Sequence, residues 1–252
     1  MRTLGIVGGL GPESTIEYYR LMVALYRKRT GDGSYPPIVI NSINLKTMLD
    51  LIGTDRLSEA TDYLLGEVQK LARAGADFGA LAANTPHIVF EPIRRRSPIP
   101  LVSIVEATCH AAKERRLQRV GLLGTRFTMR ASFYPDGLAR AGIRTILPSI
   151  EDQDYVHEKY MGELVNGVIR RETRDGLLAV VERLKAQEQI DGVILGGTEL
   201  PLVLSEPAMG FRSWTPPAFM SSRLSNTCSR SDSPAPTRDG LHGWRLSPSV
   251  SP

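Results

Sequence analysis

The chain has 252 residues, 42% of them hydrophobic and 23% charged, with a formal net charge of +4. That length and apolar content allow a substantial core in one or two compact domains. No apolar run approaches the roughly 20 residues needed to span a membrane, Met1-Arg2-Thr3 does not open a signal peptide, and no basic stripe interleaved with aromatics points to nucleic acid.

In chain order, Leu4–Gly8 reads as a strand and Gly8–Gly11 as a tight turn. Pro12 suits a first helical turn, and Glu13 places negative charge at the helix N-terminus. The spacing predicts an amphipathic helix from Glu13 to about Lys28, with Ile16, Tyr19, Leu21, Met22 and Leu25 available for burial. Residues 37–43 read as a second strand. Asp55 is a candidate cap for a helix running through Leu65, Val68 and Leu71 to Gly75. Phe78–Ala83 is the third strand and Leu101–Val105 the fourth, flanked by Pro98 and Pro100. Arg94-Arg95-Arg96 ends a short helix, where cations complement the helix dipole; that reading is preferred to a phosphate site.

The second half repeats the plan. Arg119–Gly124 is a strand, followed by Thr125 and a helix beginning near Thr128. A strand over 143–147, helices over about 152–166 and 173–187, and a strand over 191–195 complete it. Alternating strands and helices call for parallel sheets with right-handed crossovers. With a boundary near Arg115–Gln118, the expectation is a first lobe over residues 1–115 and a second over 116–211. An irregular, poorly ordered tail is expected over 212–252. Two cysteines without a paired framework suggest a reducing, cytoplasmic setting.

Two stretches stand out because they recur at equivalent points of the two halves. Leu81-Ala82-Ala83-Asn84-Thr85-Pro86-His87 follows one buried strand, and Leu195-Gly196-Gly197-Thr198-Glu199-Leu200 follows the other. In a parallel sheet the carboxyl ends of the strands face the ligand crevice, so both should look into one cleft. Small residues there let backbone N–H groups approach a ligand.

These motifs, with Gly8-Gly9-Leu10-Gly11-Pro12-Glu13-Ser14-Thr15, make the sequence similar to the aspartate/glutamate racemase family from about Thr3 to Phe211. The family's typical motifs read Gly-Gly-Met-Gly-Pro-Glu-Ala-Thr, Cys-Asn-Thr-x-His and Gly-Cys-Thr-Glu. The resemblance implies two similar parallel-sheet α/β lobes with an interlobe cleft, cofactor-independent racemisation without a metal, and a small amino acid or dicarboxylate as ligand. A homodimer is compatible with it. Ala83 and Gly197 stand where the family has its two cysteines.

Racemisation removes a proton from the carbon between an amino and a carboxylate group and returns one on the opposite face. Without a cofactor it needs an acid/base group on each side. Neither Ala83 nor Gly197 can transfer a proton, and neither Cys109 nor Cys228 is placed to substitute. His87 and Glu199 are the candidate replacements. The resemblance also implies binding groups: Gly9, Asn84, Thr85, Thr125, Thr128 and Thr198, with Lys46 a candidate partner for a distal carboxylate. Helix capping is the competing reading for the threonines, and a solvated surface charge that for Lys46. A racemase with lost or altered catalysis and a non-catalytic small-acid binding or regulatory protein both fit. A nucleotide-binding oxidoreductase, suggested by Gly9-Leu10-Gly11, is disfavoured because the third fingerprint position is Ser14 and Asn41-Ser42 end the second strand.

Beyond Phe211 the composition turns to Ser, Pro, Arg and Thr. Back-translating 213–221 and reading two bases later gives a peptide compatible with Leu-Asp-Thr-Thr-x-Ile-His, which resembles the family's continuation. A reading-frame shift just after Phe211 is therefore expected, and resequencing that region should reveal it. An intact, unambiguous frame would overturn the expectation.

Overall fold

The computed structural model describes residues 1–205, 209 and 211–228. Strands β1 (Leu4–Gly8), β2 (Ile38–Ser42), β3 (Phe78–Leu81) and β4 (Leu101–Val102) form one parallel sheet in the order β2-β1-β3-β4. Strands β5 (Arg119–Gly124), β6 (Arg144–Ile146), β7 (Gly192–Gly196) and β8 (Ser213–Trp214) form a second in the order β6-β5-β7-β8. The two sheets therefore have the same topology. In each, the order reverses between the first and third strands, so the crevice opens at the carboxyl ends of β1 and β3 in one sheet and of β5 and β7 in the other. Every residue of β1 and of β7 is buried, as expected of strands covered by helices on both faces.

Helix α1 (Pro12–Thr30) starts with a proline, carries Glu13 in its first turn and Arg27, Lys28 and Arg29 in its last, and ends at Gly31 in the left-handed conformation. It buries Ser14, Tyr18, Met22 and Tyr26, a single face at i, i+4 spacing. The expected burial of Ile16 and Tyr19 is not met: they are 59% and 50% exposed. Next come α2 (Leu45–Gly53), which the sequence reading did not anticipate, and α3 (Leu57–Arg73). Asn44 caps α2, accepting a hydrogen bond from the Lys46 N–H at 2.9 Å. Asp55 does not cap α3; it takes a positive φ of 57° in the turn between the two helices. Helix α4 (Phe90–Arg96) ends in the arginine run. Arg94 pairs with Glu91 and Glu106, and Arg96 with Asp62, so two of the three cations are partnered. The fourth strand is shorter than expected because Ser103 caps α5 (Ile104–Glu114).

In the second unit, Thr125 caps the short helix α6 (Arg126–Arg130). Helices α7 (Phe133–Arg140), α8 (Ile150–Gly162) and α9 (Arg171–Glu188) follow. Each unit has its own outer core. One is built on Val7, Met48, Leu64, Val68 and Leu81, the other on Leu123, Val156, Leu177, Val181 and Leu195. A third cluster joins them, bringing Leu4, Ile6 and Phe78 together with Val120, Leu122, Ile194 and Tyr134. None of the described helices is long and apolar enough to cross a membrane.

The expectation of an irregular tail from residue 212 is corrected over its first part. Ser213–Trp214 is β8, and Pro216–Cys228 forms a helix, α10. Its Met220, Leu224 and Cys228, spaced i, i+4, i+8, are fully buried in the shared core where α10 packs on α1 and α5. Composition hides this stripe because the intervening residues are Ser, Arg, Asn and Thr. The remainder of the tail reading, 229–252, lies outside the described residues.

The fit of α10 is not complete. The hydroxyl of Ser221 is buried without a hydrogen-bond partner. A buried polar group left unpaired costs about 1–3 kcal/mol. Ser221→Ala should therefore raise the unfolding free energy by about 1 kcal/mol, read as a higher denaturant midpoint at unchanged slope.

Candidate active site

The loops after β1, β3, β5 and β7 meet around one cavity of about 560 Å³, counting its open mouth. Leu10, Gly11, Ser14, Ala83, Asn84, Thr85 and Ile104 line it from the first unit, and Thr125, Tyr160 and Gly196–Glu199 from the second. Leu45, Met48 and Leu49 of α2 form one apolar wall, with Met161 and Val165 contributing another. Among the described residues, no Lys, Arg or His lines it.

Asn84 is the hinge-pin of this arrangement. Its amide nitrogen donates to the Gly196 carbonyl at 2.9 Å, across from one sheet to the other. Its amide oxygen accepts from the Tyr134 hydroxyl at 2.7 Å. Burial holds the Tyr134 phenol above its ordinary pKa, so it stays a donor. Thr85 and Thr125 face each other with their hydroxyls 3.2 Å apart, again one from each unit. Thr125 also accepts from the Thr128 N–H at 3.1 Å as the cap of α6.

The two positions with missing thiols, Ala83 and Gly197, both line the cavity. They are not equivalent. Ala83 leaves an unreactive methyl. At Gly197 the backbone is not left-handed, but an added Cβ would lie 2.4 Å from the Tyr160 ring. Tyr160 of α8 thus fills the space a side chain at 197 would need. Its hydroxyl donates to Glu199 Oε2, and the Thr198 hydroxyl donates to the same oxygen at 2.9 Å. Burial, and then the adjacent Glu199, push the Tyr160 phenol well above its usual value, so it acts as a hydrogen-bond donor and not a base. Glu199 is 2% exposed, with Oε1 directed toward Gly11.

Of the remaining expected site residues, several are committed elsewhere. Gly9 does not line the cavity: its N–H donates to Thr15 Oγ1 at 2.9 Å, and at φ +74° it is pressed against the Ile43 backbone. Lys46 points outward, 78% exposed, and pairs with Asp50 at 2.6 Å; Leu45 and Leu49 turn inward instead. Thr128 is fully buried beneath Gly124 and Gly196 and does not line the cavity; it lies inside α6, where its N–H is capped by Thr125.

His87 is also a structural residue. Its Nδ1 lies 3.0 Å from the Ala83 carbonyl, and its Nε2 accepts from the Ile104 N–H at 3.2 Å. The network assigns the proton to Nδ1. Both nitrogens are used, one to brace the Ala83 turn and one to satisfy the first N–H of α5. The ring stacks on Phe90 at 4.7 Å, and burial brings its pKa down to about 3. Both ring nitrogens are thus engaged, and the ring is not part of the cavity lining. Tyr160 and Tyr134 were the residues the sequence reading missed. The only signal was Tyr160 at i+4 from Val156 and i−4 from Leu164, an apolar stripe that reads as core.

The low His87 pKa has a consequence for acid stability. Between about 6.5, its ordinary value, and about 3, the unfolded chain binds a proton that the folded chain does not. Stability should therefore fall as pH drops through this window, by up to about 1.4 kcal/mol per pH unit from this group. Urea midpoints measured from pH 7 to 4 for the protein and for His87→Gln should show a shallower slope in the variant.

A profile of the family described as Asp/Glu/Hydantoin racemase matches residues 7–211. Among curated proteins, the broad specificity amino-acid racemase RacX of Bacillus subtilis is 29% identical over 174 residues, covering 66% of this chain and 69% of the relative. A glutamate racemase of Glaesserella parasuis is 31% identical, covering 58% of this chain and 54% of that one. Among solved structures, a putative Asp/Glu racemase from Yersinia pestis superposes with a TM-score of 0.84 at 29% identity, covering 91% of this chain and 100% of that one. PH1733, an aspartate racemase homologue from Pyrococcus horikoshii, gives 0.79 at 32% identity with the same coverage. With matching motifs, matching paired sheets and a profile that spans most of its length, the chain belongs to the Asp/Glu/Hydantoin racemase family.

Proposed function

We propose that this protein binds a small amino acid or dicarboxylate between its two lobes and has lost racemisation by a pair of thiols. The observation that carries the proposal is the condition of the two positions facing the cavity. Ala83 has no group that can move a proton, and the space beside Gly197 is occupied by the Tyr160 ring. A reaction that takes a proton from one face and returns it on the other needs a competent group on both. On the Ala83 side, His87 has both ring nitrogens engaged. On the Gly197 side, Glu199 accepts hydrogen bonds from Tyr160 and Thr198.

The binding groups are better preserved than the reacting ones. Thr85 and Thr125 place a pair of hydroxyls in the cavity lining, and the small residues at 83, 196 and 197 leave backbone near the ligand. This favours non-catalytic binding or regulation over turnover.

The test pairs thermal stabilisation with solvent deuterium exchange at the α-carbon, using L- and D-aspartate, L- and D-glutamate, and neutral amino acids. At least one should raise Tm while exchange stays at the protein-free background. Exchange clearly above background that Glu199→Gln abolishes would restore an enzymatic reading. The Ala83→Cys/Gly197→Cys variant should remain inactive and lose about 1–3 kcal/mol of stability, because the new side chain at 197 meets the Tyr160 ring. Adding Tyr160→Ala should open that space and allow measurable racemisation. A folded triple variant without it would count against the site assignment.

A further inference from the structure

Resting on the interlobe-binding reading, we infer that the ligand is an α-amino acid with an uncharged, apolar side chain, held by its ammonium group at Glu199, and not a dicarboxylate. Three features of the cavity converge on this.

The first is its charge. Glu199 lies in the cavity lining at 2% exposure, and among the described residues no cationic side chain lines the cavity with it. Lys46 is the cation nearest in sequence to the α2 wall, and it is turned outward onto Asp50 at 2.6 Å. A ligand with two carboxylates would bring both into a space that already contains a carboxyl group and, among the described residues, offers no cation. Burying an unpaired carboxylate is costly, and a like charge beside it adds repulsion. An amino acid's single carboxylate can take the one O–H that the bonded Thr85–Thr125 pair leaves over, while its ammonium group is matched by Glu199.

The second is the state of Glu199 itself. Oε2 accepts from the Tyr160 hydroxyl and from Thr198, which fixes the carboxyl group's plane. Oε1 stands on the Gly11 side. A Cβ at position 11 would lie 3.7 Å from Oε1, so glycine there leaves room beside it. A nearly inaccessible carboxyl group in the cavity lining, whose Oε1 has no hydrogen bond among the described residues, is suited to a cationic donor.

The third is the wall chemistry. Leu45, Met48 and Leu49 come from consecutive turns of α2, and Met161 and Val165 face the cavity from the end of α8 and the turn after it. Burying a Leu- or Met-sized side chain there is worth about 1.5–3 kcal/mol, whereas a carboxylate of similar length would lose its water without a partner.

Affinities measured by calorimetry for L- and D-leucine and methionine, for L- and D-aspartate and glutamate, for glutarate and for 4-methylpentanoate test this. At least one neutral amino acid should bind tenfold or more tightly than either acidic amino acid. Removing the ammonium group, as in 4-methylpentanoate, should weaken binding relative to leucine by a similar factor. Glu199→Gln should weaken leucine binding while changing 4-methylpentanoate binding little. Leu49→Arg, on the half-buried part of the α2 wall, should shift preference toward aspartate and glutamate.

If aspartate, glutamate or glutarate binds best to the unaltered protein, the side-chain assignment is overturned while interlobe binding stands. If leucine and 4-methylpentanoate bind equally, the Glu199 contact is overturned. If none of the panel binds to the folded protein, interlobe binding fails as well.

Discussion

The relation between the two halves depends on the buried amide of Asn84. Apolar contact between the sheets is non-directional and would tolerate sliding; a side-chain amide with one end on the Gly196 carbonyl and the other on the Tyr134 hydroxyl does not. It fixes the carboxyl end of β3 against that of β7, and both against α7. Everything that faces the cavity inherits this registration: Ala83 precedes Asn84, Thr85 follows it opposite Thr125, and Gly197 follows the accepting carbonyl. Since the groups are buried, a truncated side chain at 84 would remove the hydrogen bonds it makes with the Gly196 carbonyl and the Tyr134 phenol. The polar crossbridge is thus a structural requirement first. Only its remaining N–H is available to a ligand.

Against that frame the two altered positions have different physical meanings. At 83 the side chain is a methyl group, and His87 braces the turn that carries it. At 197 the neighbourhood is filled by an aromatic ring. Tyr160 lies over the glycine, and its hydroxyl is tied to Glu199. The pair of motifs looks symmetrical in sequence, but the cavity is asymmetric: a small unreactive side on one lobe, an aromatic plug and a carboxyl group on the other.

Much of the fold was legible in the sequence because its strands are short apolar runs at the centre of parallel sheets, where burial on both faces leaves little else they can be. Helix positions were less so. The buried face of α1 is Tyr18, Met22 and Tyr26, and not the Ile16 and Tyr19 that hydrophobicity favours, because its partners β1 and α10 lie on the other side. Helix α2 was announced only by Asn44, a cap signal adjacent to a strand end. The site was legible as motifs but not as roles. Asn84, Thr85, Thr125 and Thr198 do reach the cavity, while Gly9, Lys46 and His87 are used in a turn, surface pairing and bracing, and Thr128 is buried behind the Thr125 cap. Residue type determined what these groups can do; only the hydrogen-bond network determined what is left for them to do. Tyr160 could not be read as important because an aromatic on an apolar stripe is ordinary core until its hydroxyl is seen to meet Glu199.

The placement of α10 carries a consequence for how the molecule is assembled during synthesis. Met220, Leu224 and Cys228 complete a core whose other members include Leu4, Ile6, Tyr18 and Met22, and the Cys228 carbonyl accepts from the Arg2 N–H at 3.3 Å. The apolar face formed by residues 4–22 is therefore covered only once residue 228 has been made. A nascent chain emerging from the ribosome holds the α1–α5 surface open until translation has passed residue 228, an interval in which aggregation and chaperone capture compete with closure. Pro217, at the start of the same helix, lines the cavity, so the wall of the pocket is finished in the same late event.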